Sequence, residues 1–175
     1  GLQAEESDAD LTLLARSLRA AAAFPQVRFL LLSSTEVYGN AGGKVDESAA
    51  PAAVSERGIR FMREEQLLDI YRSQYGMSAS VLRASQLYTS RPKEGAGDSL
   101  SRSFTGAVYP RGRMTNHVFQ PLHVSDFADA VKRVMDGGNQ YVYNVCGSVD
   151  ISARRLYQLI CRQEKLSQQD ISWEE

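Results

Sequence analysis

Residues 29–39, Phe29-Leu30-Leu31-Leu32-Ser33-Ser34-Thr35-Glu36-Val37-Tyr38-Gly39, set an apolar run directly against hydroxyl residues, a carboxylate and a phenol. Polar side chains at the carboxyl end of a short buried strand are how a parallel sheet opens into a functional crevice. Other groups bear on chemistry as well. Gln86 offers an amide just beyond a second apolar run. Arg111 and Arg113 carry guanidinium groups that suit a diphosphate, or equally a solvated basic loop. His123 has no second histidine or acid at metal-ligand spacing and reads as structural. Cys146 and Cys161 lie in apolar periodic segments without ligand spacing and read as buried thiols of a reducing compartment.

These groups need a scaffold, and the pattern predicts alternating helices and strands. Asp8 or Asp10 caps a helix to about Phe24, with Leu11, Leu14, Ala15 and Leu18 on one face; Pro25 ends it and a strand follows over 27–33. Residues 34–55, rich in Gly, Ala, Ser and Asp, read as a long loop. Ser55 caps a helix over 56–75, with Ile59, Met62, Gln66, Leu67 and Ile70 as its inward stripe and Gly76 as its stop. Arg57, Arg60 and Arg63 with Glu56, Glu64 and Glu65 read as that helix's solvated face. A strand is expected over 80–83, a loop over 84–97, a helix near 98–107 and an irregular basic stretch at 111–113. A helix from Ser125 or Asp126 to about residue 136, a strand over 141–145 and a helix capped by Ser152 and reaching about Gln163 complete the pattern. Such alternation implies an α/β fold with a parallel sheet.

Composition narrows the function classes. At 175 residues the chain is expected to form a single domain with a real core. A net charge of −1 with both signs interspersed points away from nucleic acid and from an anionic membrane as partners. No apolar run approaches the ~20 residues that span a bilayer, and the first residues lack a signal-peptide layout, so a soluble, cytoplasmic protein is expected.

Four separated segments resemble, in order, the signatures of the NAD(P)-dependent epimerase/dehydratase family, the extended short-chain dehydrogenases. They are Ser33-Ser34-Thr35-Glu36-Val37-Tyr38-Gly39, Val45-Asp46-Glu47 with Pro51, Val81-Leu82-Arg83-Ala84-Ser85-Gln86-Leu87-Tyr88, and Pro121-Leu122-His123-Val124-Ser125-Asp126-Phe127-Ala128-Asp129-Ala130. Tyr143-Asn144-Val145-Cys146-Gly147 resembles the strand that follows, so the likeness covers roughly residues 10–160. The resemblance implies a Rossmann-like doubly wound parallel sheet with a C-terminal substrate-binding region. Residues 1–83 would supply the remainder of the Rossmann sheet, and 84–175 the substrate-binding region interleaved with the last strand. It also implies NAD or NADP as cofactor and a nucleotide sugar as substrate. Ser34 would be the catalytic-position hydroxyl that bonds the reacting sugar oxygen, with Thr35, Glu36, Gln86 and Arg113 as substrate contacts. The helices over 10–24 and 56–75 correspond to the pair that builds the family's homodimer interface.

The chain departs from this pattern in two places. The family's base is a Tyr with a Lys four residues later, the Lys lowering the phenol's pKa and holding the cofactor ribose. Aligning Glu65-Gln66-Leu67-Leu68 with the family's helix puts Arg57 at the Tyr position and Phe61 at the Lys position, and no Tyr or Lys occurs between residues 45 and 70. The other departure is the glycine-rich first strand–loop–helix unit that meets the pyrophosphate, which this sequence does not contain, so an incomplete sheet lacking the first βαβ half is expected. The expected function is that of an epimerase/dehydratase relative without catalysis by this chain alone. The alternative is a non-catalytic nucleotide-sugar-binding or dimerisation module.

Overall fold

The computed structural model describes residues 2–89, 112–115, 118–163 and 171–174. Two compact units emerge: one comprises Gly1–Ala84 and Ala130–Val145, the other Ser85–Asp129 and Cys146–Glu175.

In the first unit, α1 (Leu2–Ala22) leads through a tight connection into β1 (Arg28–Ser34), which ends in a 3-10 turn (Thr35–Tyr38). After an irregular stretch come α2 (Glu56–Tyr75) and β2 (Ser78–Ala84). The unit's sheet is parallel, in the order β1, β2 and a later strand, Val142–Val145, with Leu31 opposite Val81 and Leu82 opposite Tyr143. Helices on a parallel sheet bear out the expected α/β, Rossmann-like fold.

The reason for this architecture is visible in the side chains. Leu18 of α1, Leu68 of α2, Leu31 of β1 and Val81 of β2 form one buried cluster with Met77, against which Leu14, Phe29 and Tyr71 pack. Strand residues alternate in facing, so the face that presents Phe29 and Leu31 to the helices also presents Ser33 to them. Leu32, on the other face, stays half exposed. Ser55 caps α2 by accepting the Gly58 N–H at 2.9 Å, and Gly76 ends the helix in the left-handed conformation at φ 64°.

Several sequence expectations need correction. Asp8 and Asp10 lie inside α1 rather than capping it, because the strong helix formers Leu2-Gln3-Ala4-Glu5-Glu6 extend the helix forward. The inward face of α2 centres on Gly58, Glu65 and Leu68, which are buried; of the expected stripe Leu67 packs against the core and Ile59 and Met62 are half-buried, whereas Gln66 is exposed and Ile70 is 58% exposed. Glu65 therefore does not belong to a solvated face. Residues 112–115 form a strand rather than an irregular basic stretch, and Cys146 is only half-buried while Cys161 is buried. The helix expected near 98–107 lies outside the described residues.

The second unit contains β3 (Leu87–Tyr88), β4 (Gly112–Thr115), β5 (Val118–Phe119) and β6 (Leu122–His123). Then come α3 (Val124–Gly137), which Ser125 and Asp126 enter rather than precede, β7 (Val142–Val145), the first unit's third strand, and β8 (Ile151–Ser152). α4 (Ala153–Gln163), capped by Ser152 as expected, and β9 (Ile171–Glu174) close the chain. The short strands pair as β3–β6 and β4–β9 in parallel and β5–β8 antiparallel. Two-residue strands carry too little apolar alternation to be read from sequence.

Candidate functional site

The site begins where β1 stops. Ser34 keeps extended backbone (φ −134°, ψ 149°) and its Oγ accepts the Glu36 N–H at 3.2 Å, starting the turn. The turn closes with the Gly39 N–H donating to the Glu36 carbonyl at 3.1 Å. Gly39 sits at φ +61°, and a Cβ there would lie 2.1 Å from the Ala52 carbonyl oxygen, whose own amide donates to Val37 at 2.8 Å. Gly58 serves the same packing from α2, since a Cβ would come within 2.6 Å of the Glu36 carbonyl oxygen. Glycine at both positions lets the turn lie flush on the helix.

The outer side of the turn is charged. The Glu36 carboxylate lies 3.3 Å from the Arg57 guanidinium and accepts from the Ser55 hydroxyl at 3.0 Å. The Arg57 and Arg60 guanidinium groups stand 5.5 Å and 5.1 Å from the centre of the Phe61 ring. Of the two residues singled out from sequence, Arg57 is thus brought to Glu36, two residues beyond Ser34, and Phe61 lies under the Arg57 guanidinium.

Beneath the turn lies a buried polar network. Arg83 donates from Nη2 and Nε to the Glu65 carboxylate at 2.6–3.2 Å. The Ser33 hydroxyl donates to the same carboxylate at 2.6 Å. The Arg83 Nη1 donates to the Tyr38 phenol at 2.7 Å, and that phenol donates to the Asn144 side-chain oxygen at 2.8 Å. Burial by itself would lower the Arg83 pKa, but its bonds to Glu65 and Tyr38 outweigh that and raise it, so the guanidinium stays charged. Sequence reasoning missed Glu65 and Arg83 as members of this site. An arginine inside Val81-Leu82-Arg83-Ala84 was the available signal, since a buried guanidinium needs a buried carboxylate.

Beyond the turn, a cavity of about 470 Å³ is lined by residues that include Tyr38, Lys44, Val45, Asp46, Ala52 and Val54. Hydrogen bonds from the Ser48 hydroxyl and amide hold the Asp46 carboxyl below its ordinary value. Glu47 reaches from this loop to accept the Asn144 N–H at 2.7 Å.

Gln86 and Arg113 belong to the second unit. The Gln86 carbonyl accepts the Leu122 N–H at 2.9 Å, and Arg113 lies on β4 opposite Ser172; Arg111 is outside the described residues. His123 lies edge-on to Tyr88 with ring centres 5.1 Å apart, and its Nδ1 is 2.7 Å from the Ser125 hydroxyl, a structural setting. Among the described residues no cluster of His, Cys, Asp or Glu is arranged to hold a metal ion, and no helix is long and apolar enough to cross a membrane.

The chemistry open to the Ser34 turn is hydrogen bonding more than proton transfer. Ser34 and Thr35 offer hydroxyls, but an arginine holds its proton at any working pH and Phe61 has no polar atom. An aromatic hydrocarbon cannot bond a ribose, so Phe61 does not fit the part that a lysine would play toward a dinucleotide.

The model of the NAD dependent epimerase/dehydratase family matches residues 4–146. Protein YeeZ of Escherichia coli K12 is 29% identical over 138 residues, which is 77% of this chain and 45% of YeeZ. Among solved structures, dTDP-glucose 4,6-dehydratase of Bacillus anthracis in complex with NAD superposes with a TM-score of 0.75 at 22% identity, over 92% of this chain and 54% of its own. UDP-glucuronic acid 4-epimerase of Bacillus cereus, in complex with UDP-glucuronic acid and NAD, gives 0.71 at 16% identity, over 93% and 52%. The chain spans about half the length of the proteins it matches.

Proposed function

The chain belongs to the NAD dependent epimerase/dehydratase family, and on that premise we propose that it is the sugar-binding part of a nucleotide-sugar protein that binds its ligand without transforming it. The observation that supports this reading is that Arg57 pairs with Glu36 and lies over the Phe61 ring, Arg57 and Phe61 being the two residues that the family resemblance aligns with its phenol and its ammonium. Ser34 then bonds a sugar hydroxyl and Thr35 and Glu36 extend the contact; Gln86 and Arg113 enter this reading only through the family resemblance. The similar epimerase holding UDP-glucuronic acid and NAD supports a nucleoside diphosphate sugar as the ligand class. NAD or NADP belongs to this reading only through the family, and a cytoplasmic location accords with sugar nucleotides as ligands.

A second reading concerns assembly. Leu13 on α1 and Ile70 on α2 are 66% and 58% exposed although each sits on a helix packed into the same core, which favours a homodimer through this helix pair. A monomer by sedimentation at tens of micromolar would remove it.

The deciding experiment is thermal unfolding of the chain with UDP-, GDP- and dTDP-sugars, NAD and NADP, followed by product analysis of each sugar incubated with NAD. Ligand at a hundred times its Kd stabilises by about 2.7 kcal/mol, a shift of several degrees. Stabilisation by a nucleotide sugar, none by NAD, and unchanged sugar are expected. NAD-dependent conversion of the sugar would overturn the proposal.

A further inference from the structure

The buried pair beneath the turn touches it at two separate points. Glu65 Oε1 receives the Ser33 hydroxyl at 2.6 Å, and Arg83 Nη1 donates to the Tyr38 phenol at 2.7 Å. Ser33 and Tyr38 bracket the segment 34–37. The two ends of the turn are therefore tied to a single ion pair whose side chains are 5% and 9% exposed. The tie continues outward, because the Tyr38 phenol donates a hydrogen bond to the Asn144 side-chain oxygen on β7. Elements α2, β2 and β7 thus converge on one turn.

We propose that Glu65 and Arg83 are positioning residues that clamp the Ser34 turn from both ends and so fix the direction of its hydroxyls. This deepens the reading of that turn as the sugar contact and rests on it. The physical argument is one of direction. Burying apolar side chains of similar volume would hold these elements together as well as a buried ion pair does. Hydrocarbon, however, has no preferred axis toward a Ser33 or Tyr38 hydroxyl, whereas each bond here has a donor angle to satisfy. A site held to a fraction of an ångström needs such support behind it.

The links to the turn are two hydroxyls, so they can be cut without removing a buried charge. Ser33→Ala and Tyr38→Phe each delete one link, and Ser33→Ala/Tyr38→Phe deletes both. Amide hydrogen exchange reads the result. The Glu36, Gly39 and Ala52 amides are bonded within the turn or to it, and the Val81 amide, donating to the Tyr141 carbonyl at 2.7 Å, reports the sheet. The clamp predicts about tenfold faster exchange of the turn amides in either single variant and about a hundredfold in the double, with Val81 held within about twofold. The apolar pair Glu65→Leu/Arg83→Met is expected to show the same pattern; should it not fold, the hydroxyl variants decide alone. Unchanged turn amides in the double variant, or Val81 accelerating in step with them, would overturn the clamp.

Affinity supplies the functional arm. UDP-sugar binding to Ser33→Ala/Tyr38→Phe, measured at a temperature where the variant is folded, should weaken about tenfold; unchanged affinity alongside a loosened turn would overturn the positioning role. If the unaltered chain binds no nucleotide sugar, the proposed function fails, and the exchange contrast still decides whether the pair clamps the turn.

Discussion

Arg83–Glu65 and Arg57–Glu36 are both arginine–carboxylate pairs, both involve α2, and both meet the turn at the end of β1. They differ in surroundings. The first has its closest contact at 2.6 Å between side chains 5% and 9% exposed, with further bonds to Ser33 and Tyr38. The second has one contact at 3.3 Å between side chains 60% and 31% exposed. Distance alone would suggest a modest difference in strength. Burial makes it a difference in kind. Breaking the inner pair strands a charge away from water, whereas breaking the outer one lets both partners return to solvent. One face of α2 thus fixes the turn's framework, while the other carries a pair that a ligand could displace.

The sharpest way to break this comparison is to remove one arginine from each pair. Arg83→Ala leaves the Glu65 carboxylate buried without its partner and should cost about 3–5 kcal/mol in urea unfolding. Replacing both partners with Leu and Met should fall within about 1 kcal/mol of the unaltered chain, because no charge is left stranded. If Arg83→Ala and Arg57→Ala cost the same, the distinction between the pairs is wrong.

Glycine substitutions test the same rigidity from the backbone. Gly76 is left-handed (φ 64°, ψ 27°) and a Cβ there meets nothing, whereas Gly39 combines φ 61° with ψ −131°, a region closed to other residues, and a Cβ there would meet the Ala52 carbonyl oxygen at 2.1 Å. Gly76→Ala should therefore cost about 1 kcal/mol, the penalty of the conformation alone. Gly39→Ala must also displace backbone and should cost about 2–4 kcal/mol. Similar costs at the two positions would mean that the turn yields easily, contrary to a clamp built on Arg83.

The same contrast explains what could be read from the sequence. The α2 boundaries were legible because Ser55 and Gly76 are local signals, each acting on its own helix end. The Phe29–Leu32 run and its hydroxyl end were legible because a strand entering a crevice changes composition abruptly. Glu65 was misread because the charges of α2 alternate in sign at helical spacing, which suits a solvated face until Arg83, 18 residues away, is brought against it. The pairing depends on strand register, in which Ser33 lies opposite Arg83, and no local pattern carries register. Arg57 and Phe61 were singled out because family signatures fix an order along the chain, although the contacts of Arg57 with Glu36 and with Phe61 were not foreseeable.

The smallest effect belongs to the outer pair, and it needs a double-mutant cycle to be seen. Arg57→Ala and Glu36→Gln should each change stability by less than about 1 kcal/mol, with a coupling of about 0.5 kcal/mol or less. Gln at position 36 keeps an acceptor for the Ser55 hydroxyl, so the cycle isolates charge from that bond. Ser55 also caps α2 through the Gly58 amide and must remain unaltered, or loss of the cap would mask the coupling. Raising the salt concentration to about 1 M, where screening reaches about 3 Å, should abolish the coupling of the outer pair and leave the cost of Arg83→Ala nearly unchanged. A coupling that survives high salt would place Arg57 and Glu36 in a drier setting than their exposure indicates, and the turn would then be held as firmly from outside as from within.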